Sequence, residues 1–181
     1  MTPAEARTLL AEADLICSAE QVAAAVDRLA GEIGGRLADV QPLVLTVMGG
    51  AEVFAGHLLP KLGFPLDCDY LHVTRYGDAT RGNELTWVAE PRLPVQGRVV
   101  LVLDDILDEG ITLAAIKARL LERGAAECLV AVLADKHIGH GKPLRPDFVG
   151  LALPNRFVFG YGMDVKGAWR NLPAIYAVKG L

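Results

Sequence analysis

The stretch from Arg98 to Gly124 constrains this chain more than any other. It opens with Arg98-Val-Val-Leu-Val-Leu103, where apolar side chains follow one another without the alternation of a half-exposed strand. A short, β-branched run of this kind fits a strand buried on both faces, as in parallel sheets covered by helices on each side. Asp104-Asp105-Ile106-Leu107-Asp108-Glu109-Gly110-Ile111-Thr112 follows, a loop by composition, and then a helix from Leu113 to Arg123 stopped by Gly124. Cys128 to Ala134 is the next buried strand. Buried strands alternating with helices predict an α/β fold with a mainly parallel sheet, whose ligands bind outside the carboxyl ends of the strands.

Upstream, Pro3 to Asp14 and Ser18 to Val40 carry helical spacing, and Ser18 three residues before Gln21 makes a capping-box start. Leu43 to Met48 reads as a strand, Gly49-Gly50 as a turn and Ala51 to Leu62 as a helix. Asp69 to Arg75 and Leu85 to Ala89 read as strands around the polar segment Tyr76 to Glu84, expected to be a long mobile hairpin. Two short strands, Phe148 to Leu153 and Phe157 to Gly160, precede an aromatic, basic tail. With 181 residues and no repeat or low-complexity linker, one domain is expected. Residues 1–41 form an N-terminal helical flank in this reading, and 42–181 hold the core and a C-terminal hood.

The net charge of −4 and the absence of a Lys and Arg block argue against a nucleic-acid partner or an anionic membrane surface. Apolar runs stay far short of the ~18 residues of a spanning helix. The amino terminus mixes Glu5, Glu12 and Asp14 with apolar residues, unlike a secretory leader. Cys17, Cys68 and Cys128 are scattered, which suits reduced thiols in the cytosol.

Four carboxylates within the six positions 104–109, at a strand's carboxyl end and a helix's amino end, exceed what capping needs. Clustered like charges beside a buried strand resist desolvation, so they call for a cation or for hydroxyls from which to accept. Gly110 permits close backbone approach, helix-start amides bind anions, and the Thr112 hydroxyl can donate to phosphate. Together these ask for a phosphorylated polyol.

Two acids after a strand, then Ile-Leu-Asp, one variable residue and Gly-x-Thr, resemble the phosphoribosyl-pyrophosphate motif of type I phosphoribosyltransferases. Asp135-Lys136, Pro146 to Gly150, Arg156 to Asp164 and Trp169 to Leu172 narrow the resemblance to the hypoxanthine-guanine branch, over nearly the whole chain after about Pro42. The resemblance implies the type I fold: a mainly parallel central sheet flanked by helices, with a small hood and a flexible hairpin loop. The implied activity is transfer of a phosphoribosyl group from phosphoribosyl pyrophosphate to a 6-oxopurine base, with magnesium and release of pyrophosphate.

It also implies roles. Asp104 and Asp105 would hold the ribose hydroxyls and magnesium, with Asp164 as a second metal ligand near the base. Asp108 would be the general acid/base at N7 of the purine. The backbone from Asp108 through Glu109, Gly110 and Ile111 to Thr112 would cradle the 5′-phosphate. Glu109 departs from the threonine many relatives have, so only its amide is assigned. Met48, Gly49 and Gly50 match the pyrophosphate turn, where many relatives carry a lysine and a non-proline cis peptide; here Met48 replaces the lysine. Arg170 would clamp pyrophosphate with its planar fork. Lys136 would donate to the purine 6-oxo group, selecting against a 6-amino base. Phe157 would stack on the base and the Val158 backbone would meet its edge. Arg75, Tyr76 and Arg81 belong to the closing loop.

Taken singly, several of these residues have plainer readings: Lys136 as a solvated loop lysine, Phe157 and Val158 as core, and Asp164 with Arg170 as a surface ion pair. His137 and His140 have a metal-like spacing, but Gly139, Gly141 and Pro143 argue against a helical pair. Trp87 reads as strand packing. Rival functions are another base such as xanthine, or a non-catalytic regulatory nucleotide-binding protein. Retained Asp108 and the net acidity speak against the regulator. The resemblance further implies a homodimer or homotetramer.

Overall fold

The computed structural model describes residues 1–75 and 85–180. In chain order the elements are α1 (Pro3–Glu12), β1 (Asp14–Cys17), α2 (Ala19–Leu37), β2 (Leu43–Met48) and α3 (Glu52–Leu58) with a 3-10 turn at Leu59–Lys61. They continue with β3 (Asp67–Arg75), β4 (Leu85–Ala89), β5 (Val99–Leu107), α4 (Ile111–Glu122), β6 (Glu127–Lys136), β7 (Phe148–Leu153), β8 (Val158–Phe159) and β9 (Ile175–Ala177).

Six strands form the main sheet in the order β4-β3-β2-β5-β6-β7, parallel except for β4 at its edge. β5 and β6 lie inside it and are apolar on both faces. Leu101, Leu103, Leu129, Ala131 and Leu133 point into one core with α2 and α3, and Val100, Val102, Val130 and Val132 into another with α4. The doubly buried reading of Arg98–Leu103 holds from Val100 on, for the reason that helices cover both faces, whereas Arg98 precedes the strand and pairs with Asp67. α2 turns Val22, Val26, Leu29, Ile33 and Leu37 onto β7 and α3, at spacings of three and four residues. The burial of each such side chain contributes ~1.5–3 kcal/mol. Its start is the expected capping box, with Ser18 Oγ accepting from Gln21 N at 3.3 Å and Gln21 Oε1 accepting from Ser18 N at 2.8 Å.

A second sheet, β1-β9-β8, is antiparallel; of its strands only β8 falls within an expected one, Phe157 to Gly160. Asp14–Cys17 and Ile175–Ala177 are too short to show a period, and each finds its partner only across the fold. Strand β8 covers only Val158–Phe159, so Phe157 and Gly160 fall outside it. α1 buries none of its residues; the Trp169 indole donates to Ala6 O at 2.8 Å and fastens it to the loop before β9. Trp87 packs against the α4-side core, as strand packing requires. No helix among the described residues is long and apolar enough to cross a membrane.

Candidate active site

The strand order reverses at β2 and β5: from β2 the chain moves outward to β3 and β4, and from β5 it moves the other way to β6 and β7. Such a switch point opens a crevice at the strands' carboxyl ends. The turn after β2 and the acidic end of β5 face each other there. A Cβ placed on Gly50 would lie 2.0 Å from Asp105 Oδ2, and one on Gly162 would lie 2.0 Å from Gly50 O. Only hydrogen at these two positions lets the β2 turn, the acidic strand and the segment after β8 close together. The Met48–Gly49 peptide bond in this turn is cis.

The acidic segment is not the loop its composition suggests. β5 runs on to Leu107, with Asp104 opposite Val132 and Leu107 opposite Asp135, because the parallel ladder to β6 continues beneath the carboxylates. Only 108–110 form the turn, and α4 starts at Ile111, two residues earlier than expected, behind Gly110 at φ +78°. Its first turn thus carries Ile111 and Thr112, so their amides belong to the helix start. Asp104, Asp108, Glu109, Gly110 and Thr112 line one cleft. Asp105, Asp108, Lys136, Phe157, Val158, Asp164 and Arg170 line a second. Asp108 and Ile106 belong to both, so the two clefts meet over them.

Burial drives the Asp104 carboxyl well above the usual range, and the neighbouring Asp105 charge raises it further. Burial also raises Asp105, against the Ile106 amide donating to Oδ1 at 2.8 Å and the Arg170 charge. Two buried carboxyls side by side, both shifted upward, form a donor set that becomes favourable once a cation joins them. No group of three His, Cys, Asp or Glu converges among the described residues. Asp104 and Asp105 instead offer the one or two carboxylates that a hard cation such as magnesium takes while water and substrate oxygens fill the rest of its octahedron.

Lys136 Nζ donates to Asp108 Oδ2 at 3.1 Å, with the lysine side chain 13% exposed. It is therefore no solvated loop lysine. Phe157 is 48% exposed, so its ring lies open in the second cleft rather than in the core, whereas Val158 is buried. Asp164 is an ion-pair partner of Arg170 and accepts from Gly167 N at 2.7 Å; Arg170 also donates to Gly162 O. The Glu109 carboxylate turns outward, 3.7 Å from His140 Nε2, and leaves its amide at the turn. His137 and His140 sit in irregular chain, not on a helix. Tyr76 and Arg81 lie outside the described residues, as does the Arg75 side chain. The structure adds two residues no local signal marked: Gly162, at φ +106°, and Lys142, whose three partners are distant or main-chain groups.

A phosphoribosyl transferase domain matches residues 13–166. The hypoxanthine-guanine phosphoribosyltransferase of Bacillus subtilis is 32% identical over 166 residues, 91% of this chain and 92% of that protein. The hypoxanthine-guanine-xanthine phosphoribosyltransferase of Tritrichomonas foetus is 34% identical over 85% of each chain. Among solved structures, a hypoxanthine-guanine phosphoribosyltransferase from Bacillus anthracis superposes with a TM-score of 0.83 at 28% identity, covering 91% of this chain and 97% of that one. With the acidic strand end, the glycine turn and the helix start arranged as described, this chain belongs to the phosphoribosyltransferase family.

Proposed function

We infer that the chain transfers the 5-phosphoribosyl group from phosphoribosyl pyrophosphate to hypoxanthine or guanine, forming IMP or GMP and releasing pyrophosphate in purine salvage. The observation that carries this is the Lys136–Asp108 pair at the junction of an acid-lined cleft and a cleft floored by an exposed phenylalanine. An ammonium and a carboxylate this close match two neighbouring atoms of a 6-oxopurine, the 6-oxo oxygen and N7. A 6-amino base would set its own donors against the lysine.

In this reading the base stacks on Phe157, with Val158 main chain at its edge, while Lys136 donates to the 6-oxo group. Asp108 takes the proton from N7 as N9 attacks the anomeric carbon and the bond to pyrophosphate breaks. The amides from Asp108 to Thr112, at the α4 amino end, hold the 5′-phosphate, with Glu109 contributing only main chain. Asp104 and Asp105 would accept from the ribose hydroxyls and hold magnesium, and Asp164, paired with Arg170 in the fold, would turn to a second ion. Held there, magnesium would supply charge neutralisation for the departing pyrophosphate. Gly49 and Gly50, beside Met48, and the Arg170 fork receive the pyrophosphate. Arg75, Tyr76 and Arg81 keep the role that the resemblance gives them, shielding the developing cation from water; Tyr76, Arg81 and the Arg75 side chain lie outside the described residues. A cytosolic homodimer or homotetramer is part of the reading on family resemblance alone.

The test is nucleotide formation by purified protein with phosphoribosyl pyrophosphate and magnesium, comparing hypoxanthine, guanine, xanthine and adenine. Turnover of 6-oxopurines without adenine supports the assignment. Magnesium-dependent binding of the sugar phosphate without turnover of any base would make the chain a non-catalytic binder.

A further inference from the structure

Lys142 lies in the loop between β6 and β7 and matches no part of the motifs above. Its side chain is only 12% exposed. Nζ donates to Leu107 O at 2.8 Å, to Asp135 Oδ1 at 2.6 Å and to Lys136 O at 2.6 Å. An ammonium has three donors, so every one is committed. Leu107 and Asp135 are the register partners at the last rung between β5 and β6. Asp108 directly follows Leu107, and Lys136 directly follows Asp135. Beyond this rung the ladder no longer fixes the spacing of the two strand ends, and the Lys142 ammonium takes over by bridging both.

We propose that Lys142 is a positioning residue that sets the distance between Asp108 and Lys136 and so tunes recognition of the purine edge. The proposal rests on the reading that Asp108 and Lys136 address N7 and the 6-oxo group. The two groups must match the 6-oxo oxygen and N7 on one edge of a rigid purine, so a displacement of either strand end by a fraction of an ångström weakens both contacts together. The Lys142 contacts fall on the strand ends that carry this pair. Its Cβ, 3.5 Å from the position of a Cβ on Gly110, also backs the phosphate turn, but through the stem and not the charge. Removing the ammonium while keeping the stem therefore separates base recognition from sugar-phosphate binding.

The test is steady-state kinetics of the full chain carrying Lys142→Met, with each substrate varied in turn and adenine as competing base. The expected result is a KM for hypoxanthine raised ~10-fold or more, a weakened preference for 6-oxopurine over adenine, and a KM for phosphoribosyl pyrophosphate within ~2-fold of wild type. Lys142→Arg, which keeps the charge, should recover part of the loss. Equal increases in both KM values, or a fall in kcat with base KM and preference unchanged, would overturn the proposal by making the lysine a general staple. Asp135→Asn, close to isosteric, carries the same prediction at smaller amplitude if Lys142→Met does not fold, and an unchanged base KM in that variant counts equally against the proposal. Lys136→Met separates the two levels. If it leaves base KM and preference untouched, the reading of Lys136 fails; if it raises them and Lys142→Met does not, only the positioning role fails.

Discussion

Lys136 Nζ lies 3.1 Å from Asp108 Oδ2, although 28 residues separate the two in sequence. Adjacent parallel strands deliver them, β5 ending just before Asp108 and β6 ending at Lys136. The pair ties acid/base chemistry to base recognition. Asp108→Asn keeps the shape but cannot take a proton, and turnover should fall ~10²–10⁴-fold with a modest loss of sugar-phosphate affinity. Near-normal turnover in single-turnover kinetics would remove Asp108 from the chemistry.

Gly50 is held against Asp105 so tightly that an added methyl would meet the carboxylate at 2.0 Å. Gly50→Ala must push the β2 turn and β5 apart, at a cost of ~1–3 kcal/mol for overpacking. The melting temperature should drop by several degrees, and calorimetric binding of magnesium with phosphoribosyl pyrophosphate should weaken far more than base binding. Unchanged sugar-phosphate affinity would show that the turn takes no part in the site.

The Asp104 and Asp105 carboxyls are raised in the fold, by burial first and, at Asp104, by its neighbour's charge second. The metal-free fold thus keeps protons that the unfolded chain has already lost. Its stability falls as pH climbs from the ordinary carboxylate pKa of ~4 through the raised values. Magnesium binds the charged forms and offsets that loss. The magnesium-induced rise in melting temperature should be larger at about pH 8 than at about pH 5.5. Asp105→Asn should flatten this dependence, and a rise that is equal at both pH values in the native chain would contradict the assigned ligands.

Burial pushes the Cys128 thiol up to about 11, and Cys17 is also buried and raised. Cys68 is exposed. A thiol-specific chromogenic reagent at neutral pH should label one cysteine quickly in the native protein and three in denaturant, because only accessible thiolate reacts. Rapid labelling of Cys128 in the native state would mean that its strand opens readily.

Both early helices carry capping boxes, yet they should not matter equally. Ser18→Ala removes the Oγ that caps α2, whose apolar face lies in the core, and should lower global stability by ~1 kcal/mol in urea titration. Thr2→Ala frays α1, which buries nothing, and should leave the global transition in place.

Strong local signals were legible as elements. Leu85–Ala89 and Phe148–Leu153 have the predicted bounds, and Ser18 caps α2 as its sequence says. Errors gathered where a neighbour decides. Asp104 to Leu107 look like loop until β6 supplies a ladder for them. Asp14–Cys17 becomes a strand by pairing with Ile175–Ala177, which pairs along its other edge with Val158–Phe159. Phe157 among aromatic and apolar residues reads as core until the fold leaves its ring in a cleft.

What the sequence determined was the set of chemical groups: buried strands from continuous apolar runs, an acid-rich strand end, a glycine and threonine at a helix start, and a lysine after the next strand. Those depend on composition and short spacing, which each segment carries by itself. What only the tertiary structure decided was their meeting. Gly50 against Asp105, Lys136 on Asp108 and Lys142 across two strand ends join positions far apart in the chain. Such contacts follow from strand order and register, which are settled by the packing of the whole core and leave no mark on any one segment.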